Sequence, residues 1–216
     1  MITNEFSLKE AFKFSWKIYS NNFFLFFFPL LIWGGLLFLR FKLAQNSSLL
    51  PLLIVFTLML VTFGIVKGTL KLYNEEEVKM SDFLLEGKIY FRLVVIALFL
   101  TLFNQFSSFI FLFNQFSLEI SLTLAILLML IWVFLFIRLS FMICFVIDQE
   151  LDLKESFQAS LDLTKNYSFD LYVLLGVMSI IGLSGIFPGM FIGMIFISIP
   201  LNIGAFVFVY NKLLEE

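Results

Sequence analysis

The sequence has no histidine and a single cysteine, Cys144, among its 216 residues. Without imidazole there is no histidine acid–base catalysis and no His-based metal site. One thiol builds neither a zinc cluster nor an intrachain disulfide. Charge is scarce too. Asp, Glu, Lys and Arg make up 14% of the chain, against about 25% in a soluble domain. The net charge is −2, so the basic excess that marks nucleic-acid binding is missing. Apolar residues fill the space instead: 61% of the chain, with 32 Phe, and a mean hydropathy of +1.03. A compact soluble protein of this length cannot bury so large an apolar fraction, because surface-to-volume scaling limits burial. The composition predicts an integral membrane protein.

A bilayer core needs about 20 mostly apolar helical residues. Six stretches qualify, at about Phe23–Leu39, Leu49–Val66, Leu93–Phe113, Ile120–Ile147, Leu171–Phe187 and Gly189–Tyr210. Pro188-Gly189 is the turn signal that parts the last two. The runs are continuous rather than alternating, which argues for helices over a membrane barrel. The first run is longer than a signal-peptide core and no small-residue cleavage site follows it, so a retained span is expected. Six spans put both termini on one side. That side holds twelve of the fourteen Lys and Arg residues, and the other holds Arg40 and Lys42. The positive-inside rule then places both termini in the cytoplasm.

The chain also repeats itself. Ser7-Leu8-Lys9-Glu10-Ala11-Phe12-Lys13-Phe14-Ser15 recurs as Asp152-Leu153-Lys154-Glu155-Ser156-Phe157-Gln158-Ala159-Ser160. A weaker copy, Met80-Ser81-Asp82-Phe83-Leu84-Leu85-Glu86-Gly87, lies between them. Leu8, Ala11, Phe12 and Ser15 follow the i, i+3, i+4, i+7 spacing of an amphipathic helix. Ser7 with Glu10, and Asp152 with Glu155, fit capping boxes. The middle copy has Lys79 at the cap position. The expected fold is all-α: a single membrane domain, 1–216, of three units at about 1–72, 73–145 and 146–216. Each unit is an interfacial amphipathic helix followed by a helical hairpin of two spans. The repeated Leu-Phe-Asn-Gln-Phe-Ser at 102–107 and 112–117 reads as drift in a Phe-rich region.

Polar residues at membrane depth are the candidate site. Arg138 interrupts the fourth span, where a charge costs at least about 2.5–3.5 kcal/mol near the centre. With Asn104, Gln105, Asn202 and Thr62 it would form a polar layer that holds an anionic headgroup or lines a solute path. Counted from Glu119, however, Arg138 is equivalent to Lys67 and Lys212. All three would then be boundary residues snorkelling to the inner interface. Asn104, Gln105 and Asn202 suit interhelical hydrogen bonds. Gly189-x-x-x-Gly193 suits close helix packing or dimerisation, Pro200 should kink the sixth span, and Cys144 reads as a buried, inert thiol.

The segment Glu10-Ala11-Phe12-Lys13-Phe14-Ser15-Trp16, then Arg138-Leu139-Ser140-Phe141, Asp148, and Glu155-Ser156-Phe157 with Ser160, resembles a known bacterial family. It is similar to the six-span membrane domain attached to some glycerophosphodiester phosphodiesterases, and to stand-alone relatives of that domain. The resemblance implies fold and membrane setting. It does not bring the phosphodiesterase activity, which belongs to a separate soluble barrel with a histidine. Three functions follow as expectations. The first is a non-enzymatic membrane protein that organises lipids or scaffolds partners through its cytoplasmic amphipathic helices, with membrane lipids, a second copy or another membrane protein as partner and no cofactor. The second is a small-solute or lipid transporter or channel built around Arg138. The third is an intramembrane enzyme with a divalent metal on Asp148, Glu150 and Asp152.

Overall fold

The computed structural model describes residues 7–43, 50–85, 87–109, 137–165, 167–183 and 194–215, together with 123, 127, 134 and 135. Among them every regular element is helical. In chain order they are α1 (Leu8–Asn21), α2 (Phe23–Leu43), α3 (Leu50–Tyr73), a 3-10 turn (Met80–Phe83) and α4 (Gly87–Phe109). Then come α5 (Met142–Asp148), α6 (Leu153–Thr164), α7 (Ser168–Leu183), a π-helical turn (Met194–Ser198) and α8 (Ile199–Leu214). Three stretches are long and apolar enough to cross a membrane: Phe23–Arg40, Leu50–Tyr73 and Ile195–Leu214. Phe169–Ile181 is a shorter apolar helix. They support a multi-pass membrane location. Part of the expected fourth span (120–122, 124–126, 128–133 and 136), Gly189–Gly193 and the 112–117 duplicate lie outside the described residues.

The most enclosed of the three stretches ends in α8: 61% of its residues are buried, against 28% in α2. An apolar helix buried nearly all round is a core element. Phe206 stacks on Phe141 with ring centroids 4.8 Å apart, Tyr210 meets Phe141 and Phe145, and Phe208 meets Phe14 and Tyr73. The π-helical turn precedes Pro200. Proline has no N–H to donate and clashes with the carbonyl four residues back, so the backbone widens there before the helix resumes.

α1, expected as an interfacial amphipathic helix, does not lie apart on the surface. Ala11, Ser15 and Tyr19 are buried along its length, and α1 packs on α8. A Cβ at Gly204 would lie 2.7 Å from the Ser15 Cβ and Oγ, so only glycine permits this approach. Ser7 makes no side-chain cap bond; its carbonyl accepts the Ala11 N–H at 3.0 Å. The expected capping box is therefore realised only in α6, where the Glu155 N–H donates to Asp152 Oδ1 at 2.8 Å. At the other end of α1, Asn22 joins two helices without a loop. Its Nδ2 donates to the Ile18 carbonyl at 2.9 Å, and its own carbonyl accepts the Leu25 N–H at 3.0 Å.

The middle copy departs further from expectation. Instead of an amphipathic helix it forms the 3-10 turn, and α4 starts at Gly87 with φ +57°. That left-handed value suits glycine and interrupts a continuous helix. The turn folds back onto α3. A Cβ on Gly64 would overlap the Phe83 carbonyl oxygen, and one on Gly68 would lie 2.6 Å from the Phe83 ring. Phe83 also packs edge-on against Phe26, with centroids 5.4 Å apart. Lys71 pairs with Asp82 at 2.8 Å, and Lys67 Nζ donates to the Leu84 carbonyl at 2.9 Å.

Candidate functional site: an apolar cavity between the helices

Several helices turn apolar stripes toward one cavity of about 710 Å³. Met59, Thr62, Phe63 and Val66 of α3 follow the i, i+3, i+4, i+7 spacing of a single helix face, as do Leu171, Leu174, Leu175 and Met178 of α7. Val95, Ile96, Phe99 and Leu100 come from α4. Asn202, Ile203 and Phe206 come from α8. The stretch 137–143 closes another side. Leu153 and Phe157, one turn apart on amphipathic α6, form the remaining wall. The cavity therefore extends from the level of α6 to Asn202, just beyond the π-helical turn. Val95, Phe99 and Phe157 line it and are also exposed, so it reaches the apolar flank of the protein.

Its few polar side chains are mostly turned into the protein. Thr62 Oγ1 donates to the Leu58 carbonyl at 2.9 Å and accepts the Trp33 indole N–H at 3.1 Å. Ser140 Oγ donates to the Ile137 carbonyl at 2.7 Å. Asn202 Nδ2 donates across to the Met178 carbonyl at 3.2 Å, tying α8 to α7, as expected of an interhelical amide. Its Oδ1 is buried and has no hydrogen-bond partner. Among the described residues no charged side chain lines the cavity. Its volume falls within the roughly 300–1,000 Å³ of small-molecule sites, and its lining suits a hydrocarbon.

Arg138 sits beside this cavity. It is half-buried, and its Nη1 donates to the Leu161 carbonyl and to Thr164 Oγ1, both at 3.4 Å, near the C-terminal end of α6. The guanidinium lies 5.3 Å from the centre of the Phe134 ring. In return, Ser160 Oγ donates to the Arg138 carbonyl at 2.7 Å. Arg138 thus engages α6 while Asn202 engages α7, and no hydrogen bond joins the two among the described residues. Asn104 and Gln105 lie in α4, with their side chains outside the described residues.

A second polar cluster ties helix ends together. Asp148 accepts the Tyr210 hydroxyl at 3.2 Å and the Asn74 amide at 3.4 Å. The Tyr73 hydroxyl donates to Glu215, which pairs with Lys212 at 2.5 Å. The Lys212 ammonium holds the Glu215 carboxyl below its usual range. Arg92 donates to the Glu150 carbonyl. Two of the three carboxylates considered for a metal thus have other tasks: Asp148 accepts from Tyr210 and Asn74, while Asp152 caps α6. Among the described residues no group of three potential ligands is placed to hold an ion.

Sequence reasoning missed the cavity, because a continuous apolar run does not say which face looks inward. It also passed over Gly64-x-x-x-Gly68, whose spacing is readable and marks the groove that receives Phe83. No protein-family model, curated protein or solved structure matches the chain.

Proposed function

We propose that this chain is a non-enzymatic, six-span protein of a bacterial inner membrane. In this reading it is built of three units, has cytoplasmic termini, and is related to the stand-alone form of the six-span domain named above. Its role is to hold a lipid hydrocarbon chain within the bundle, as part of organising or moving membrane lipid. The observation that carries this reading is the cavity: largely apolar, bounded on one side by α6 and reaching the flank that would face acyl chains. A path for a small polar solute is less well supported, since polar groups on the wall are mostly satisfied locally.

The test is lipid retention. Wild-type protein purified in a mild detergent and analysed by native mass spectrometry should keep about one lipid per chain. Met178→Trp, which fills the cavity from α7, should reduce retention at least about fivefold while the protein stays folded. Equal retention by the folded variant, or a lipid-free wild type, would sink the proposal.

A further inference from the structure

The stretch 135–143 gives the cavity most of its residues on one side, and Arg138 is the charge set within it. At i, i+3, i+4 and i+7, Leu135, Arg138, Leu139 and Met142 share a helix face, and the other three line the cavity. From that face the guanidinium reaches the last turn of α6, an amphipathic helix exposing Lys154, Glu155, Gln158 and Asp162. The residue is therefore placed where apolar wall gives way to a polar surface.

The guanidinium is also under-used. It carries five N–H donors in a planar fork and lies over the Phe134 ring, yet only Nη1 has hydrogen-bond partners among the described residues, both at 3.4 Å. That is beyond the usual 2.7–3.2 Å of a good N–H···O bond. Neither partner is an anion, and no carboxylate lies within ion-pair distance of it among the described residues. A half-buried cation without a counter-charge is costly, and arginine's fork matches the oxygens of a phosphate.

We propose that Arg138 is the headgroup-binding residue for a net-anionic phospholipid whose acyl chain occupies the cavity. This rests on the lipid-holding reading above and adds the class of lipid. The chain fills the space between α3, α4, α7 and α8. The phosphate sits at the α6 end, taking the free guanidinium donors.

The experiment offers the purified protein three lipids with identical chains: phosphatidylglycerol, phosphatidylcholine and the headgroup-free diacylglycerol. Wild type should retain phosphatidylglycerol over phosphatidylcholine by about tenfold, because both offer a phosphate to the guanidinium but in phosphatidylcholine the headgroup cation offsets its charge. Arg138→Gln should bring the two to near parity and leave diacylglycerol retention unchanged. A triple Lys9, Lys13 and Lys17→Gln variant should keep the preference, since those lysines lie on the outer face of α1. A preference that survives Arg138→Gln, or that disappears with the α1 lysines, overturns the assignment. If no lipid is retained, diacylglycerol included, it is the lipid-holding reading that fails. Should Arg138→Gln not fold, a phosphatidylglycerol probe with a photoreactive headgroup decides on the wild type. Labelling within 134–165 supports the assignment, and labelling of α1 overturns it.

Discussion

Serine and glycine do more at the residue scale here than their size suggests. Ser15 and Ser160 occupy matching positions in the first and last copies of the repeated segment, and both are buried. Ser15 donates to its own helix at the Ala11 carbonyl, 2.6 Å away, and so packs on α8 with no polar debt. Ser160 instead spends its proton across helices, on the Arg138 carbonyl. Gly204 is the partner that lets Ser15 come close. Gly204→Val should therefore destabilise the protein by about 1–3 kcal/mol through overpacking, read as a lower thermal midpoint in detergent. Gly35 has open space where a Cβ would go, so Gly35→Ala should be neutral or slightly stabilising. Equal effects at the two positions would refute the packing account.

At the scale of elements, the repeated segment takes two forms. α6 is a capped helix and α1 a packed one, while the middle copy is a 3-10 turn pinned into a glycine groove. Its pin includes Asp82, whose carboxyl is held below its usual range first by the hydrogen bond from Lys71 and then by the Lys79 backbone N–H. A lowered folded-state value means the stabilisation is present above the ordinary aspartate range and is lost as pH falls through the depressed value. Asp82→Asn should therefore lower the thermal midpoint near neutral pH, and the gap from wild type should close well below about pH 4. A gap that persists in strong acid would show that the ion pair is not its cause.

How much of this was legible depends on the kind of signal. The buried stripe of α1 and the capping box of α6 could be read directly, because helical spacing and cap chemistry are local. α2 and α3 were legible as long apolar runs. The 3-10 turn was not, since it depends on Phe83 finding Gly64 and Gly68 some 15 to 20 residues earlier. The cavity was hidden for a related reason: at least six helices contribute to it, α3 to α8, and most are apolar on several faces. Arg138 was legible as conspicuous, but its partners on α6 are a tertiary matter.

Across the whole molecule, the contacts made by the three copies have an order. The 3-10 turn packs on α3, just before it in the chain, and α6 packs on the Arg138 segment just before it. α1, the first copy, packs instead on α8. These contacts form a ring: the second and third copies lean on what precedes them, and the first leans on α8. Asp148, Tyr210 and Asn74 join the ends of three helices in the same region.

That ring has a consequence in time. α1 (Leu8–Asn21) is made well before its partner α8 (Ile199–Leu214), so at about 5–20 residues per second the ribosome leaves it unpartnered for on the order of ten seconds or more. During that interval its Ala11–Ser15–Tyr19 face must be sheltered by the bilayer surface or by another protein. A chain truncated before the π-helical turn should freeze this interval. Ser15→Cys, in a Cys144→Ser background, should then react with a water-soluble maleimide in the truncated chain and be protected in the full-length one. Equal protection in both would mean that α1 finds its shelter without α8.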